Sequence, residues 1–194
     1  MLQAAYSRCL EEHLAVFAQM DAMRLNVILA AEWLAATIQN GGKVLVCGNG
    51  GSAADAQHFA AELVGRFQRE RGAWPAIALT TDTSIITAVG NDYGFNTVFS
   101  RQAEGLALPG DTLVGISTSG NSENVLRAVE CARSKGVKTI GLLGGDGGVI
   151  AAAVDLPLTV PSRITAHIQE AHIFILHTIC QMVEMTVVGA GPAL

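Results

Sequence analysis

The sequence is poor in charge, in cysteine and in long apolar runs. Charged residues make up 15% of its 194 residues and the net charge is −5. That balance argues against a nucleic-acid-binding surface, which clusters Lys and Arg. No run of about 18 apolar residues predicts a transmembrane helix, and the first residues, MLQAAYSRCLEEH, are not typical of a signal peptide. We therefore expect a cytoplasmic protein that binds neither nucleic acid nor a membrane.

The few cysteines exclude a disulfide framework. Cys9, Cys47, Cys131 and Cys180 are scattered and form no CxxC pair, which favours reduced thiols in a cytosolic protein. Half of the residues are hydrophobic, so the chain can bury a large core without covalent cross-links. Since no linker or repeat divides the sequence, it predicts one domain over residues 1–194, with residues 1–40 as a helical extension of the same unit.

The spacing of apolar residues predicts an α/β fold. Two helices occupy the first 40 residues, and Gly41-Gly42 ends the second. Five short apolar runs follow, separated by helical stretches or glycine-rich loops: Lys43–Cys47, Ala76–Leu79, Thr112–Ile116, Val137–Leu142 and Val154–Val160. Strands that alternate with helices predict a doubly wound, parallel, five-stranded sheet with helices on both faces.

The last predicted helix, from about Thr165 to Val187, is apolar almost all round. Such a helix is buried, and in a domain of this size that favours burial against other subunits. We therefore predict a homo-oligomer with a helical core, in which assembly completes the site on this helix. A monomer with a thick helical layer is the alternative.

Two polar loops follow predicted strands and open predicted helices. The first, Cys47–Asp55 (CGNGGSAAD), offers glycines and a helix N-terminus to a ligand. Its Gly48, Gly50 and Ala53 also fit the dinucleotide pattern G-x-G-x-x-A, but that match is weak, because Asp82 lies too far along to be the ribose-binding acid. The second, Ile116–Ser122 (ISTSGNS), combines four hydroxyls with a helix N-terminus. It predicts a phosphate cradle, although a capped helix start would explain one of those side chains.

Two clusters of polar residues could carry the chemistry. His58 and Glu62 share one face of the helix that the first loop opens, where a surface interaction is the alternative. Gln169, His172 and His177 lie on the apolar last helix, where buried polar groups need partners. A carboxylate and an imidazole are the usual acid–base groups for moving a proton next to a carbonyl. His58, Glu62, Gln169 and His177 could also bind a divalent ion, although Gln169 and His177 are roughly 12 Å apart along an ideal helix.

Several motifs together resemble the sugar isomerase (SIS) domain family, and within it the phosphoheptose isomerases. The resemblance covers essentially the whole chain. The motifs that carry it are Cys47–Asp55, Ala56–Glu62 (AQHFAAE), Gly90–Phe95 (GNDYGF), Ile116–Ser122 and Ile168–His172 (IQEAH) with His177. It implies a flavodoxin-like α/β sandwich assembled as a homotetramer. It also implies conversion of sedoheptulose 7-phosphate to D-glycero-D-manno-heptose 7-phosphate through an enediol, as the first step of ADP- or GDP-heptose biosynthesis for lipopolysaccharide or other glycans.

The resemblance also implies roles for individual residues. Glu62 and His177 would be the acid–base pair, and one zinc ion per subunit, with no nucleotide cofactor, would bind His58, Glu62, Gln169 and His177. The residues expected to contact the phosphosugar are Asn49, Gly50, Gly51, Ser52, Glu62, Asn91, Asp92, Ser117, Thr118, Ser119, Ser122 and Gln169. Where the family suggests Arg before the IQE motif, this sequence has His167, so a contact made by that arginine is in doubt.

Three other functions remain open at the level of sequence. Some similar proteins are non-enzymatic tetramers that bind the bacterial replication initiator, but they tend to lose the acid found here at Glu62. An isomerase of another phosphosugar would use the same loops. A nicotinamide-dependent dehydrogenase has only the weak glycine pattern in its favour.

Overall fold

A parallel sheet of five strands forms the centre of the computed structural model, which describes residues 1–189. The strand order is β2-β1-β3-β4-β5, and every neighbouring pair is parallel. The strands are β1 (Val44–Gly48), β2 (Ala76–Ala78), β3 (Thr112–Ser117), β4 (Lys138–Gly144) and β5 (Leu156–Val160). Each coincides with a predicted run to within two residues, so the doubly wound α/β fold is confirmed. The predicted domain end, residues 190–194, lies outside the described residues, and a single domain over 1–194 stays a prediction.

Helices cover both faces of the sheet because successive strand residues point to opposite sides. Val44 and Val46 belong to a core shared with α2, α3 and α8, whereas Leu45 and Cys47 belong to the core under α5, α6 and α7. The helices are α1 (Leu2–Phe17), α2 (Arg24–Gln39), α3 (Gly51–Val64), α4 (Thr83–Tyr93), α5 (Ser100–Leu106), α6 (Glu123–Ser134), α7 (Gly148–Ala153) and α8 (Thr165–Val187).

The strand order places the two polar loops side by side. β1 and β3 are neighbours, with Gly48 opposite Ile116 at their carboxyl ends. The helix after β1, α3, packs on one face of the sheet, and the helix after β3, α6, packs on the other. Neighbouring strands whose helices leave to opposite faces open a crevice at their carboxyl ends, which is where open α/β sheets bind ligands.

The N-terminal extension leaves apolar surface uncovered. Val16 is the only buried residue of α1, and a stripe of side chains at four-residue spacing is exposed: Leu2, Tyr6, Leu10 and Leu14. The helical stretch Leu2–Gln39 is long and apolar enough to cross a membrane. Core helices of soluble proteins and signal sequences can be equally long and apolar, so length and composition alone are weak evidence. The stretch is interrupted by a 3₁₀ turn at Met20–Met23, and one side of α2 is buried in the core.

Helix α8 has the predicted bounds, but its burial has a different cause. Ile175 and Ile179 are buried within the chain itself, in the core where α8 packs against α2. The expectation that this helix needs partner subunits for its burial was therefore wrong for its main apolar face, although Phe174 remains 45% exposed. All four cysteines are free: Cys47 and Cys180 are buried, Cys131 is half-buried and Cys9 is exposed.

Candidate active site

The first loop joins β1 to α3 through a turn that only glycine fits. Gly50 has φ 57° and ψ −121°, in the left-handed half of backbone space that side chains avoid. A Cβ on Gly51 would lie 2.2 Å from Nε2 of Gln169, so the missing side chain lets the Gln169 amide rest on the first turn of α3. This contact brings a residue of α8 to the loop that the sequence marks as a ligand site.

An amide pair links the first loop to the second. Asn49 donates from Nδ2 to Oδ1 of Asn124 at 2.8 Å, and Asn124 donates back to Asn49 at 2.9 Å. Asn124 is buried in the first turn of α6. Sequence analysis did not select it, because an asparagine inside a helix has no pattern that distinguishes it. The pair holds the two loops at a fixed spacing across the crevice.

The hydroxyls of the second loop converge as expected for a polar cradle. Oγ of Ser117 lies 2.9 Å from Oγ of Ser122 and 3.5 Å from Oγ of Ser119. Ser117 is buried, and Ser122 stands immediately before α6 without making a side-chain cap to it. In a simple capped turn, the Ser122 hydroxyl would accept a hydrogen bond from the first turn of α6. Here it lies beside the Ser117 hydroxyl instead.

A cavity of about 240 Å³ opens beside this loop, at the carboxyl ends of β3, β4 and β5. Thr118 and Ser119 line one side, and Arg163, in the segment that leads into α8, lines another. Arg163 is exposed and forms no ion pair among the described residues. Sequence analysis missed it, since a lone arginine in a loop carries no motif.

Helices α3 and α8 bring three of the predicted catalytic and metal-binding residues together within one chain. Nε2 of His58 lies 3.1 Å from Oε1 of Glu62 and 3.0 Å from Nε2 of His177. The ligand atoms of all three lie within 4.8 Å of one another. Because one chain forms this cluster, assembly is not needed to bring Glu62 and His177 together, contrary to the expectation from the sequence.

The donor set of this cluster fits a divalent ion such as zinc. Two imidazole nitrogens and a carboxylate oxygen are zinc ligands, at bond lengths of about 2.0–2.2 Å, and a tetrahedral site would place two such nitrogens about 3.3 Å apart. The observed separation of 3.0 Å between His58 and His177 is close to that value. One turn before His58, Oδ2 of Asp55 is buried without a hydrogen-bond partner, and burial raises the pKa of this carboxyl group against the opposing effect of His58.

Gln169, the fourth predicted ligand, stands at the other end of this helix pair. Its amide rests on Gly51, seven residues before His58 on α3. That offset is about 10 Å along a helix. Its contact with substrate and its role as a ligand of the same ion both stay predictions.

The remaining predicted contacts are divided between the loops and α4. Ser52 is buried in the first turn of α3, beside Gly50. Asn91 and Asp92 are exposed at the end of α4, where Nδ2 of Asn91 donates to Oδ1 of Asp92 at 2.8 Å. The next element begins at Phe95, which lines a small cavity together with Gly50. Contacts of Asn91 and Asp92 with a ligand stay predictions.

Two histidines of α8 have roles away from the cluster. His172 is fully buried and donates from Nε2 to the Leu143 carbonyl at 3.0 Å, and burial lowers its pKa to about 4. It therefore ties α8 to β4 as a neutral side chain. His167 lies 2.9 Å from Glu170 and 3.3 Å from Glu12, and the hydrogen bond with Glu170 is the main reason that its pKa is raised. His167 thus binds α8 to α1 rather than entering the cavity.

Residues 6–144 match the SIS domain family.

A phosphoheptose isomerase of Trichlorobacter lovleyi is 55% identical over 97% of this chain and 96% of its own length. Two solved structures are also similar over 95% of this chain and 99% of their own. They are a phosphoheptose isomerase from Neisseria gonorrhoeae, with TM-score 0.90 and 46% identity, and one from Francisella tularensis, with TM-score 0.92 and 41% identity. The chain therefore belongs to the phosphoheptose isomerase family of SIS-domain proteins.

The cluster predicts one zinc ion per chain. Protein stripped with a chelator should bind Zn²⁺ with 1:1 stoichiometry in isothermal titration calorimetry. His58→Ala and His177→Ala should each remove most of that binding, because each deletes one of three converging ligands. The control is His13→Ala, since His13 pairs with Glu170 on the other side of α8. Absence of stoichiometric binding by the unaltered protein, or equal loss in the control, would contradict the site.

Proposed function

We propose that this protein is an aldose–ketose isomerase that converts sedoheptulose 7-phosphate into D-glycero-D-manno-heptose 7-phosphate. Membership of the phosphoheptose isomerase family supports the reaction class. The observation that carries the proposal for this chain is the convergence of Glu62 with two imidazoles, on helices that start at the carboxyl ends of the strands, where the serine loop also lies. A carboxylate and an imidazole in contact are the groups that an enediol mechanism needs.

The reaction moves one proton between neighbouring carbons. The Glu62 carboxylate takes the proton from C1 of the ketose and returns it to C2 of the enediol. His177 supplies a proton to the oxygen on C2 and takes one from the oxygen on C1, so that the carbonyl moves to C1 and the charges balance. Zinc, when bound, would polarise the carbonyl, and His58, Glu62 and His177 would hold it.

The two roles of His177 compete for the same atom. Nε2 is the atom that faces His58, so it cannot both bind an ion and exchange a proton at the same moment. Activity measured before and after chelation decides between the roles: loss with the metal favours the ligand role, and retention favours the acid–base role.

The second loop would bind the phosphate with neutral donors. Ser117, Ser119 and Ser122 converge at the start of α6, where free N–H groups and the helix dipole favour an anion. Gln169 and the Asn49–Asn124 pair lie between this loop and the start of α3 and would face the sugar hydroxyls. The heptose substrate and its use in lipopolysaccharide or another heptose-containing glycan form part of the same proposal.

We also propose that the chain acts in the cytoplasm as a homotetramer. The exposed stripe on α1, Leu2, Tyr6, Leu10 and Leu14, supports the assembly, because contiguous apolar surface of this kind marks a contact between proteins. If the same stripe of another chain packed against it, the stripe would be buried in the oligomer. The apolar character of Leu2–Gln39 would then come from a contact between chains and not from a membrane.

Two alternatives use the same fold. A non-enzymatic protein that binds the replication initiator would not need Glu62 in contact with His58. An isomerase of another phosphosugar would use the same loops and the same cluster. Incubation with sedoheptulose 7-phosphate and NMR of the product, with other ketose phosphates in parallel, separates all three.

Replacement of Glu62 tests the general base. Glu62→Gln keeps the shape of the side chain but cannot take a proton, so kcat should fall by roughly 10²–10⁴-fold while folding and substrate binding persist. Turnover of the heptose phosphate and calorimetric binding are measured on the same sample. Glu70→Gln, at an exposed acid just beyond α3, is the control. A Glu62→Gln variant that keeps most of its kcat would remove Glu62 from this role.

Replacement of the serines tests the phosphate cradle. Ser119→Ala and Ser122→Ala should each weaken binding of sedoheptulose 7-phosphate by about 1.5–3 kcal/mol, the usual value of a hydrogen bond to a charged group. Binding of free sedoheptulose should change less. Ser134→Ala, at the far end of α6, is the control because its hydroxyl bonds only to the Cys131 carbonyl. Equal losses for both sugars would place the phosphate elsewhere.

Charge on the exposed stripe tests the assembly. The double variant Leu10→Asp, Leu14→Asp should reduce the mass measured by light scattering from about four chains to a smaller species, since two carboxylates cannot be buried in an apolar contact. Circular dichroism should remain that of the folded chain. Leu108→Asp, at a similarly exposed leucine before β3, should leave the mass unchanged. A double variant of unchanged mass would show that α1 is not the contact.

A further inference from the structure

Glu184 is a buried carboxylate that the proposed reaction does not use. It is 1% exposed, and it accepts four hydrogen bonds. Oε1 accepts from the backbone N–H of Phe67 at 3.0 Å and from Nε of Arg71 at 3.1 Å. Oε2 accepts from the backbone N–H groups of Gln68 at 2.9 Å and Arg69 at 3.0 Å. All of these donors belong to the loop between α3 and β2, so one side chain of α8 holds that loop in place.

Arg71 connects this carboxylate to the end of α3. Its side chain is 4% exposed, and its Nη2 donates to the Glu62 carbonyl at 2.8 Å and its Nη1 to the Leu63 carbonyl at 2.9 Å. The last carbonyls of a helix have no partner within the helix and favour a cation. Arg71 also lies over the Trp74 ring at 3.5 Å. The ion pair therefore fixes the backbone of the residue that carries the proposed base.

The same loop also contacts His177. The Phe67 ring stacks on the His177 imidazole, with centroids 5.4 Å apart and an angle of 28° between the planes. His177 and Glu184 are seven residues, or about two turns, apart and lie on the same side of α8. The backbone N–H of Phe67 is one of the donors to Glu184, so the carboxylate sets the position of the ring that covers His177.

We propose that Glu184 is a positioning residue of the isomerase site. Through Arg71 it holds the end of α3 with Glu62, and through Phe67 it holds the ring of His177, so the two groups meet at a fixed spacing. An ion pair buried this deeply is a poor source of stability, because desolvation offsets the attraction. What the buried pair supplies is a fixed geometry. A catalytic group misplaced by about 1 Å can lower the rate about 100-fold.

The inference rests on the proposed function and is tested with two variants of the full-length protein. Glu184→Gln removes the charge, and Phe67→Leu removes the ring while leaving every hydrogen bond to Glu184. We expect kcat to fall roughly 10- to 100-fold in both, with KM within about twofold, because neither residue lines the loops that bind the sugar phosphate. Glu104→Gln, in the exposed pair with Arg101, is the control and should match the unaltered enzyme.

The second readout needs neither metal nor activity. NMR of ¹³C-labelled histidine rings in the chelator-treated protein should show the His177 ring signal, assigned by its loss in His177→Gln, shifted or broadened in Glu184→Gln, which keeps the stacked Phe67 ring. The signal of His13 should stay in place. A merely structural role predicts a lower melting temperature with an unshifted His177 signal and unchanged kcat.

Unchanged kcat in both variants with an unshifted ring signal in Glu184→Gln would overturn the proposal. If Glu184→Gln does not fold, Glu184→Asp, which keeps the charge but shortens the side chain, replaces it in both measurements. If the unaltered protein does not isomerise the heptose phosphate, the proposed function fails, and the ring signals still test whether Glu184 positions His177.

Discussion

The site depends on the side-by-side packing of α3 and α8, which run in the same direction on one face of the sheet. Three levels of contact fix their alignment. At the start Gly51 receives Gln169, in the middle His58 meets His177, and at the end the loop after α3 closes on Glu184. Along α8 each level lies seven or eight residues beyond the last, and along α3 and the loop after it seven or nine, so neither helix can slide without breaking all three. The cluster of His58, Glu62 and His177 is therefore the middle of three contacts between the two helices.

The order of the strands in the sheet determines a second feature of the site, the crevice between the two polar loops. Because β1 and β3 are neighbours and their helices leave to opposite faces, the loop that begins α3 and the serine loop lie on the two sides of one crevice. The Asn49–Asn124 amide pair crosses it. Phosphate binding by hydroxyls and a helix N-terminus needs no buried lysine or arginine, which agrees with the low charge of the chain.

The strands and the crevice could be predicted from the sequence, because they depend on local patterns of apolar and polar residues. Apolar runs gave five strands, and the polar loops after β1 and β3 gave the crevice. The contacts that align α3 with α8 could not be predicted in this way. Gln169 on Gly51 and Glu184 on the loop after α3 join residues more than a hundred positions apart, and nothing in the local sequence pairs them. For the same reason the burial of Ile175 by the chain's own α2 was misjudged as burial by another subunit.

The distance between the two imidazoles limits what can lie between them. Nε2 of His58 and Nε2 of His177 face each other at 3.0 Å. Two lone pairs repel at that distance, and so do two N–H groups, because a neutral imidazole nitrogen is either donor or acceptor. Either one proton or one cation must therefore lie between the rings. With a proton, His58 would orient His177 and leave Glu62 free to act as base. Zinc, if bound, would be held by the same atoms, and the acid–base work would fall to the remaining oxygen of Glu62 and to solvent. The position of Glu62, 3.1 Å from His58, is compatible with both states, so the occupant of the gap between the two rings determines which chemistry the cluster performs.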